Sequence, residues 1–270
     1  MGFLMERDKR AIWLVFALVS SLSQSCGLEG KEASSKAMVR IPGGPFIGGS
    51  DDGYKNENPK ERLDIVEYWI DTNEVSVNDY MMCVGARACS APSMSDSDCN
   101  WGHSERGNHP LNCVSWEQAT AYCKWMGKRL PTQTQWEKAA RGVRGRVYPW
   151  GNTRANCDLA VMDGGKTDDG PMSGCGKRST WPTGSRPDGA SPYGVQDMGG
   201  NVSEWTQDYY TVDQGGEQRR NPRGCLGKGA RVVRGGSWTG DDLDLRSARR
   251  GQGIADKGYV SIGFRCARFY

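Results

Sequence analysis

The sequence predicts a loop-rich domain in which short strands and short helices are separated by turns, and three observations lead there. Glycine supplies 37 of the 270 residues while hydrophobic side chains make up only 37%, so much of the backbone is set to turn rather than to run in long elements. From Met38 onward the apolar stretches are short and are interrupted by Gly, Pro and Asn. Ten cysteines and ten tryptophans offer bridges and dense aromatic packing, which a scaffold with little regular structure needs to hold one shape. The length suits one substantial core, and little in the chain marks an internal division, so one domain is expected. A formal net charge of +3, with no basic run interleaved with aromatics, argues against a nucleic-acid partner.

Taken in order, residues 1–25 have the layout of a secretory signal. Arg7, Lys9 and Arg10 precede the apolar run Ala11 to Val19, and small residues follow. The run is shorter than the roughly 20 apolar residues of a membrane span, and nothing later supplies one. Leu22-Ser23-Gln24-Ser25-Cys26-Gly27 resembles a bacterial lipobox. Lipidation at Cys26 and plain cleavage of the signal are both open, Gln24 being unusual for the former. Residues 26–37 are polar and aperiodic, as a tether between an anchor and a domain would be. Residues 38–270 form the domain. Met38 to Ile41 reads as a strand before the Pro42-Gly43-Gly44 turn, and Ile65 to Ile70 as a second. Helices are expected after Ser76 (a weak cap with Asp79), after Ser115 (with Gln118) and after Thr132 (with Gln135). In the second of these, Ala119, Tyr122, Cys123 and Met126 fall on one face and form core, and Gly127 is a natural stop. No sustained period appears between Gly142 and Ala230. In an exported chain the cysteines read as bridges rather than as catalysts, and spacing suggests Cys83 with Cys89, Cys99 with Cys113 and Cys157 with Cys175. With Cys26 as an anchor, an odd number remains and Cys225 is left over.

A series of motifs then becomes recognisable in order: Met38-Val39-Arg40-Ile41-Pro42-Gly43-Gly44, Asn112-Cys113-Val114-Ser115-Trp116, Gly127-Lys128-Arg129-Leu130-Pro131-Thr132 and Gln135-Trp136-Glu137-Lys138-Ala139-Ala140-Arg141. Tyr148-Pro149-Trp150-Gly151-Asn152, Gly199-Gly200-Asn201-Val202-Ser203-Glu204-Trp205, Val233-Arg234-Gly235-Gly236-Ser237-Trp238 and Gly263-Phe264-Arg265-Cys266 follow. Together they resemble the formylglycine-generating enzyme, or sulfatase-modifying factor, family over nearly everything after Ala37. The resemblance implies an α+β fold, irregular and related to C-type lectins, with bound calcium. It also implies a bridge from Cys123 to Cys266, and the loss of a second family bridge at both ends, because Ala140 and Ser247 occupy its positions. Calcium is expected on Asp197, the carbonyls of Gly200 and Val202, and Glu204, with a second set at Asn156, the Cys157 carbonyl and Asp169; hard oxygen ligands suit that ion.

The family's chemistry is where this chain departs. Catalytic members hold copper on a cysteine pair after the Gly-Gly-Ser-aromatic motif; here Gly240 takes the first place, and the stretch before Arg246 is shortened where the second should lie. Thiolates are the soft ligands that hold Cu(I), so copper is not expected. A related branch places iron on three histidines, and this chain has only His103 and His109, which read as solvated loop residues. Asp241, Asp242 and Asp244 read as a solvated acidic turn, with a metal or a basic ligand as the alternative. Ser203 stands where the family has an aromatic near its substrate groove. No P-loop, His-Glu-x-x-His or Cys-x-x-Cys is present. Two functions follow. One is an exported, non-catalytic binding or accessory protein for a peptide, protein or glycan, periplasmic or on the outer surface as a lipoprotein, otherwise secreted, with membrane contact only through the lipid. The other is an oxidoreductase acting on thiols through a different residue set that includes Cys225.

Overall fold

The Pro-Gly-Gly turn after the first strand sets the N-terminal half. In the computed structural model, which describes residues 1–2, 37–94, 96–167, 170–212 and 229–269, β1 (Met38–Ile41) gives way to β2 (Gly44–Gly48) at Gly44, whose φ of 104° favours glycine. β2 pairs antiparallel with β3 (Glu61–Ile65), Gly44 opposite Ile65, while β4 (Tyr68–Asp71) pairs antiparallel with β1, Met38 opposite Asp71. Inward residues alternate in β3, with Leu63 and Ile65 buried. The stretch Ile65 to Ile70, expected as one strand, is thus divided: its two halves pair with different partners, and the exposed Val66 lies between them.

Three helices follow, each begun by a reciprocal capping box. Ser76 and Asp79 open α1 (Val77–Gly85), Ser115 and Gln118 open α2 (Trp116–Trp125), and Thr132 and Gln135 open α3 (Gln133–Arg141). Each hydroxyl accepts the N–H three residues on, which stabilises a helix start by about 1 kcal/mol; Ser76, expected as a weak cap, makes the full box. α2 buries Ala119, Tyr122 and Cys123, and Met126 packs partly buried at its end. α3 is buried along nearly its whole length. It keeps its charged groups inside by pairing them: Glu137 meets Arg141 at 2.8 Å and Arg234 at 2.7 Å, and the Lys138 ammonium donates to the carbonyls of Pro42 and Gly44.

The C-terminal half contains the small hairpin β5 (Lys166–Thr167) with β6 (Gly170–Pro171), and then β7 (Ser203–Tyr209), β8 (Arg231–Arg234), β9 (Arg250–Gly253), β10 (Ile262–Gly263) and β11 (Ala267–Arg268). Four of these form a sheet in the order β10-β7-β8-β9, and β11 adds to the N-terminal sheet as β1-β4-β11. β7 was not legible in the sequence. It runs between two neighbours, and Glu204, Trp205, Thr206 and Asp208 are all buried, so no polar face marks its period. Disulfides join Cys83–Cys89, Cys99–Cys113, Cys123–Cys266 and Cys157–Cys175. The main core gathers α1, α2 and the C-terminal strands around Tyr80, Tyr122, Trp205 and Phe264, and a second packs α3 against β1 to β4. The α+β, loop-rich architecture is the one expected. The globular unit spans Ser35–Tyr270. Among the described residues no helix is long and apolar enough to cross a membrane.

Candidate functional site

A cleft of about 290 Å³ opens where β7 begins and β8 ends, lined by Ser203, Gly235, Ser237, Thr239, Gly240 and Asp244 together with Arg249, Gln252, Tyr259 and Ser261. Its floor is held by Arg234, fully buried, which donates to Glu137 and to the carbonyls of Ser247, Ala248 and Arg249, so the end of β8 is tied to the segment before β9. Gly236 has a φ of 68°, and a Cβ there would meet Leu245 Cδ1 at 2.8 Å and the Asp244 carbonyl oxygen at 2.9 Å, so glycine is what lets that segment fold over the floor. Ser237 and Thr239 hydroxyls stand 3.0 Å apart, and Asp244 pairs with Arg249 at 3.1 Å.

Gly240, expected from the sequence to stand where a catalytic cysteine would, is buried and brings no side chain. A Cβ built on it would lie 3.1 Å from Asp244 Cβ and 3.4 Å from Asp244 Oδ2, so the Asp244 carboxylate packs against it. Every cysteine among the described residues is in a disulfide; Cys26 and Cys225 lie outside those residues. Ala140 and Ser247, expected from the sequence as the two ends of a lost bridge, are both fully buried. Ser203 is half-buried on the cleft wall.

The expected calcium residues converge on a buried cluster. Asp197, with a left-handed φ of 55°, accepts the Gly184 N–H at 2.5 Å. Gly200 has a φ of 104°, and a Cβ there would sit 2.6 Å from the Val161 carbonyl oxygen, while Val202 is fully buried. Glu204 takes both Nε and Nη2 of Arg265, at 2.8 and 2.7 Å, and the Trp136 indole N–H at 2.8 Å. Sequence reasoning missed a third acid, Glu74, which accepts from Asn201 Nδ2 at 2.9 Å and from the Val202 N–H; a lone acid before a helix cap carries no spacing signal. Burial, and then repulsion from Asp197 and Glu204, pushes the Glu74 carboxyl well above its usual range, and burial raises Asp197 as well. Asp197, Glu74 and Glu204 supply hard oxygens of the kind calcium takes, but they accept from Gly184, Asn201, Val202, Trp136 and Arg265, so the arrangement seen is one of protein hydrogen bonds and not of a metal shell.

The other candidates are otherwise engaged. Asn156 Oδ1 accepts the N–H groups of Asp158 and Leu159, and the Cys157 carbonyl accepts Arg186 Nε at 2.6 Å. Asp169 lies outside the described residues. Both histidines, expected to be solvated, are half-buried: His103 lies beside Glu105, and His109 has Nδ1 2.9 Å from the Thr180 hydroxyl. The acidic turn is not simply solvated: Asp241 caps the N–H groups of Leu243 and Asp244, Asp242 pairs with Arg154 at 2.6 Å, and Asp244 pairs with Arg249. Among the described residues, no group of three or more His, Cys, Asp or Glu side chains alone is arranged to hold a metal ion.

With this geometry in place, similarity to known proteins is informative. The sulfatase-modifying factor enzyme 1-like domain matches residues 26–269. The chain is 33% identical over 281 residues to the formylglycine-generating enzyme of Mus musculus, a match covering 85% of this chain and 74% of that protein. It is 30% identical over 281 residues to the inactive C-alpha-formylglycine-generating enzyme 2 of Mus musculus, covering 87% and 86%. In fold it is similar to PvdO from Pseudomonas aeruginosa, with a TM-score of 0.71 and 23% identity over 87% of this chain and 95% of that one.

Proposed function

Because the chain belongs to the sulfatase-modifying factor, or formylglycine-generating enzyme, family, we propose that it is an exported, non-catalytic binding or accessory protein that uses the family cleft to hold a ligand. The observation that carries this reading is Gly240 with Asp244 packed against it. Copper-dependent oxidation needs soft thiolate ligands in the cleft, and the described cysteines are committed to bridges. Similarity alone does not separate the two activities, since an active and an inactive relative match at 33% and 30% identity. Four disulfides fit an oxidising compartment. The signal-like residues 1–25 and the lipobox-like cysteine at Cys26 support export, with the polar residues 26–37 as a tether. Calcium held by Asp197, the Gly200 and Val202 carbonyls and Glu204 would supply fixed positive charge to the acid cluster. Titration of the purified protein with Cu(I) against a competing chelator tests the reading: no site of micromolar affinity or better is expected, and such a site would overturn it.

A further inference from the structure

We propose that the cleft binds a neutral, hydroxyl-rich ligand, a glycan; this rests on reading the cleft as a ligand site and names the class of that ligand. The inference starts from charge. Among the described residues, the charged side chains presented to the cleft are Asp244 and Arg249, which neutralise each other at 3.1 Å and are 39% and 26% exposed. Arg234 also borders it, but its guanidinium is buried and spent on Glu137 and three carbonyls. An anionic or cationic ligand would therefore bring a charge that meets no free opposite charge, and desolvating it would oppose binding.

Apolar character is equally scarce. Val233 and Ile262 stand behind the wall at 6% and 5% exposure, so an aliphatic ligand would find little surface to cover. What the cleft does offer is neutral hydrogen-bonding capacity. The exposed Thr239 hydroxyl, fixed by a 3.0 Å hydrogen bond with the buried Ser237 hydroxyl, keeps capacity to donate or accept, while the adjacent Asp244 and Arg249 set acceptor oxygens beside donor N–H groups. Adjacent hydroxyls on a sugar ring ask for such a pairing of acceptor and donor at close spacing. Tyr259 adds an aromatic wall in a fixed pose: its ring packs edge-on against Trp205 at 6.1 Å, and its hydroxyl accepts the Ile254 N–H at 3.0 Å. Such a ring suits the C–H face of a pyranose. At about 290 Å³ the cleft is at the small end of ligand sites, which begin near roughly 300 Å³, so a terminal sugar unit fits better than an extended chain.

The test presents the full-length protein to a surface printed with neutral, acidic and amino-sugar glycans and, in parallel, with a random peptide library. Neutral glycans are the expected ligands. D244N, which removes the charge at constant shape, and T239V, on an exposed side chain, should each weaken the binding at least tenfold with an unchanged melting temperature; T239V serves if D244N fails to fold. Binding only of acidic glycans, or neutral binding that both variants leave intact, overturns the proposal. Peptide binding lost in the same variants overturns the glycan class but leaves the cleft as a ligand site. Binding on neither surface removes both readings.

Discussion

Removal of the Cys123–Cys266 bridge should be the most costly loss of any one disulfide in this protein, and its cost follows from chain length. The bridge spans 143 residues, whereas Cys83–Cys89 spans 6. In the chain-entropy model, closing the long loop disfavours the unfolded state by about 5 kcal/mol and closing the short one by about 2 kcal/mol. The long bridge alone is thus comparable to the lower end of the total stability of a domain, ~5–15 kcal/mol. All four cysteines are buried in the same main core, so replacing either pair by alanine removes similar packing, and the difference isolates the loop term. The variants C123A/C266A and C83A/C89A, unfolded in guanidinium chloride without reductant beside the parent, should differ in stability by about 3 kcal/mol. The first should also unfold with a steeper denaturant dependence, because its unfolded chain is released over a longer span. Equal costs for the two pairs, or a larger cost for the short one, would refute the entropic reasoning.

Three further outcomes are expected. R265M leaves Glu204 buried without its two guanidinium bonds and should cost about 3–5 kcal/mol of unfolding free energy; a loss below 1 kcal/mol in denaturant melts would show that the pair is not what holds β7 to the segment between β10 and β11. Chelation of calcium should lower the melting temperature, since an ion bound only by the native state at a hundredfold excess over its dissociation constant adds about 2.7 kcal/mol, and an unchanged melting temperature would remove the proposed site. His109 is held below its usual pKa of 6.5, first by burial and then by the charges of Arg106 and Lys177. Folding therefore favours its neutral form: the stability it contributes is full above pH 6.5 and is lost as pH falls through the lowered folded value. Urea midpoints measured across that range should show this acid-side loss in the parent and a flatter profile in H109N; parallel profiles would refute it.

Much of the fold is legible because its signals are local. The three capping boxes at Ser76, Ser115 and Thr132 mark helix starts within four residues of sequence, and they stand in the structure as reciprocal hydrogen bonds. Signals that depend on distant partners are not legible. β7 carries Glu204 and Asp208 into the interior because Arg265 and the start of α3 await them from 61 and 75 residues away, and no local period announces that. The division of Ile65 to Ile70 has the same origin, since the partners of its two halves lie elsewhere in the chain. At the candidate site, Gly240 is singled out by its position after the Gly-Gly-Ser-Trp motif, and the structure places it in the cleft lining. That Asp244 covers the spot, and that Glu74 joins Asp197 and Glu204, depend on backbone turns at Gly236 and Gly200 that bring together residues far apart in sequence.

The proposal that this family fold serves here without oxidase chemistry is tested most directly by incubating the purified protein with copper, oxygen, a reductant and a Cys-x-Pro-x-Arg peptide, and weighing the peptide by mass spectrometry. On the proposed reading of Gly240 as the replacement of the first copper ligand, and with Asp244 against it, the peptide should keep its thiol and its mass, as in a heat-denatured control. A mass loss corresponding to conversion of the thiol to an aldehyde, absent from that control, would contradict the non-catalytic reading and place a working copper centre elsewhere in the chain.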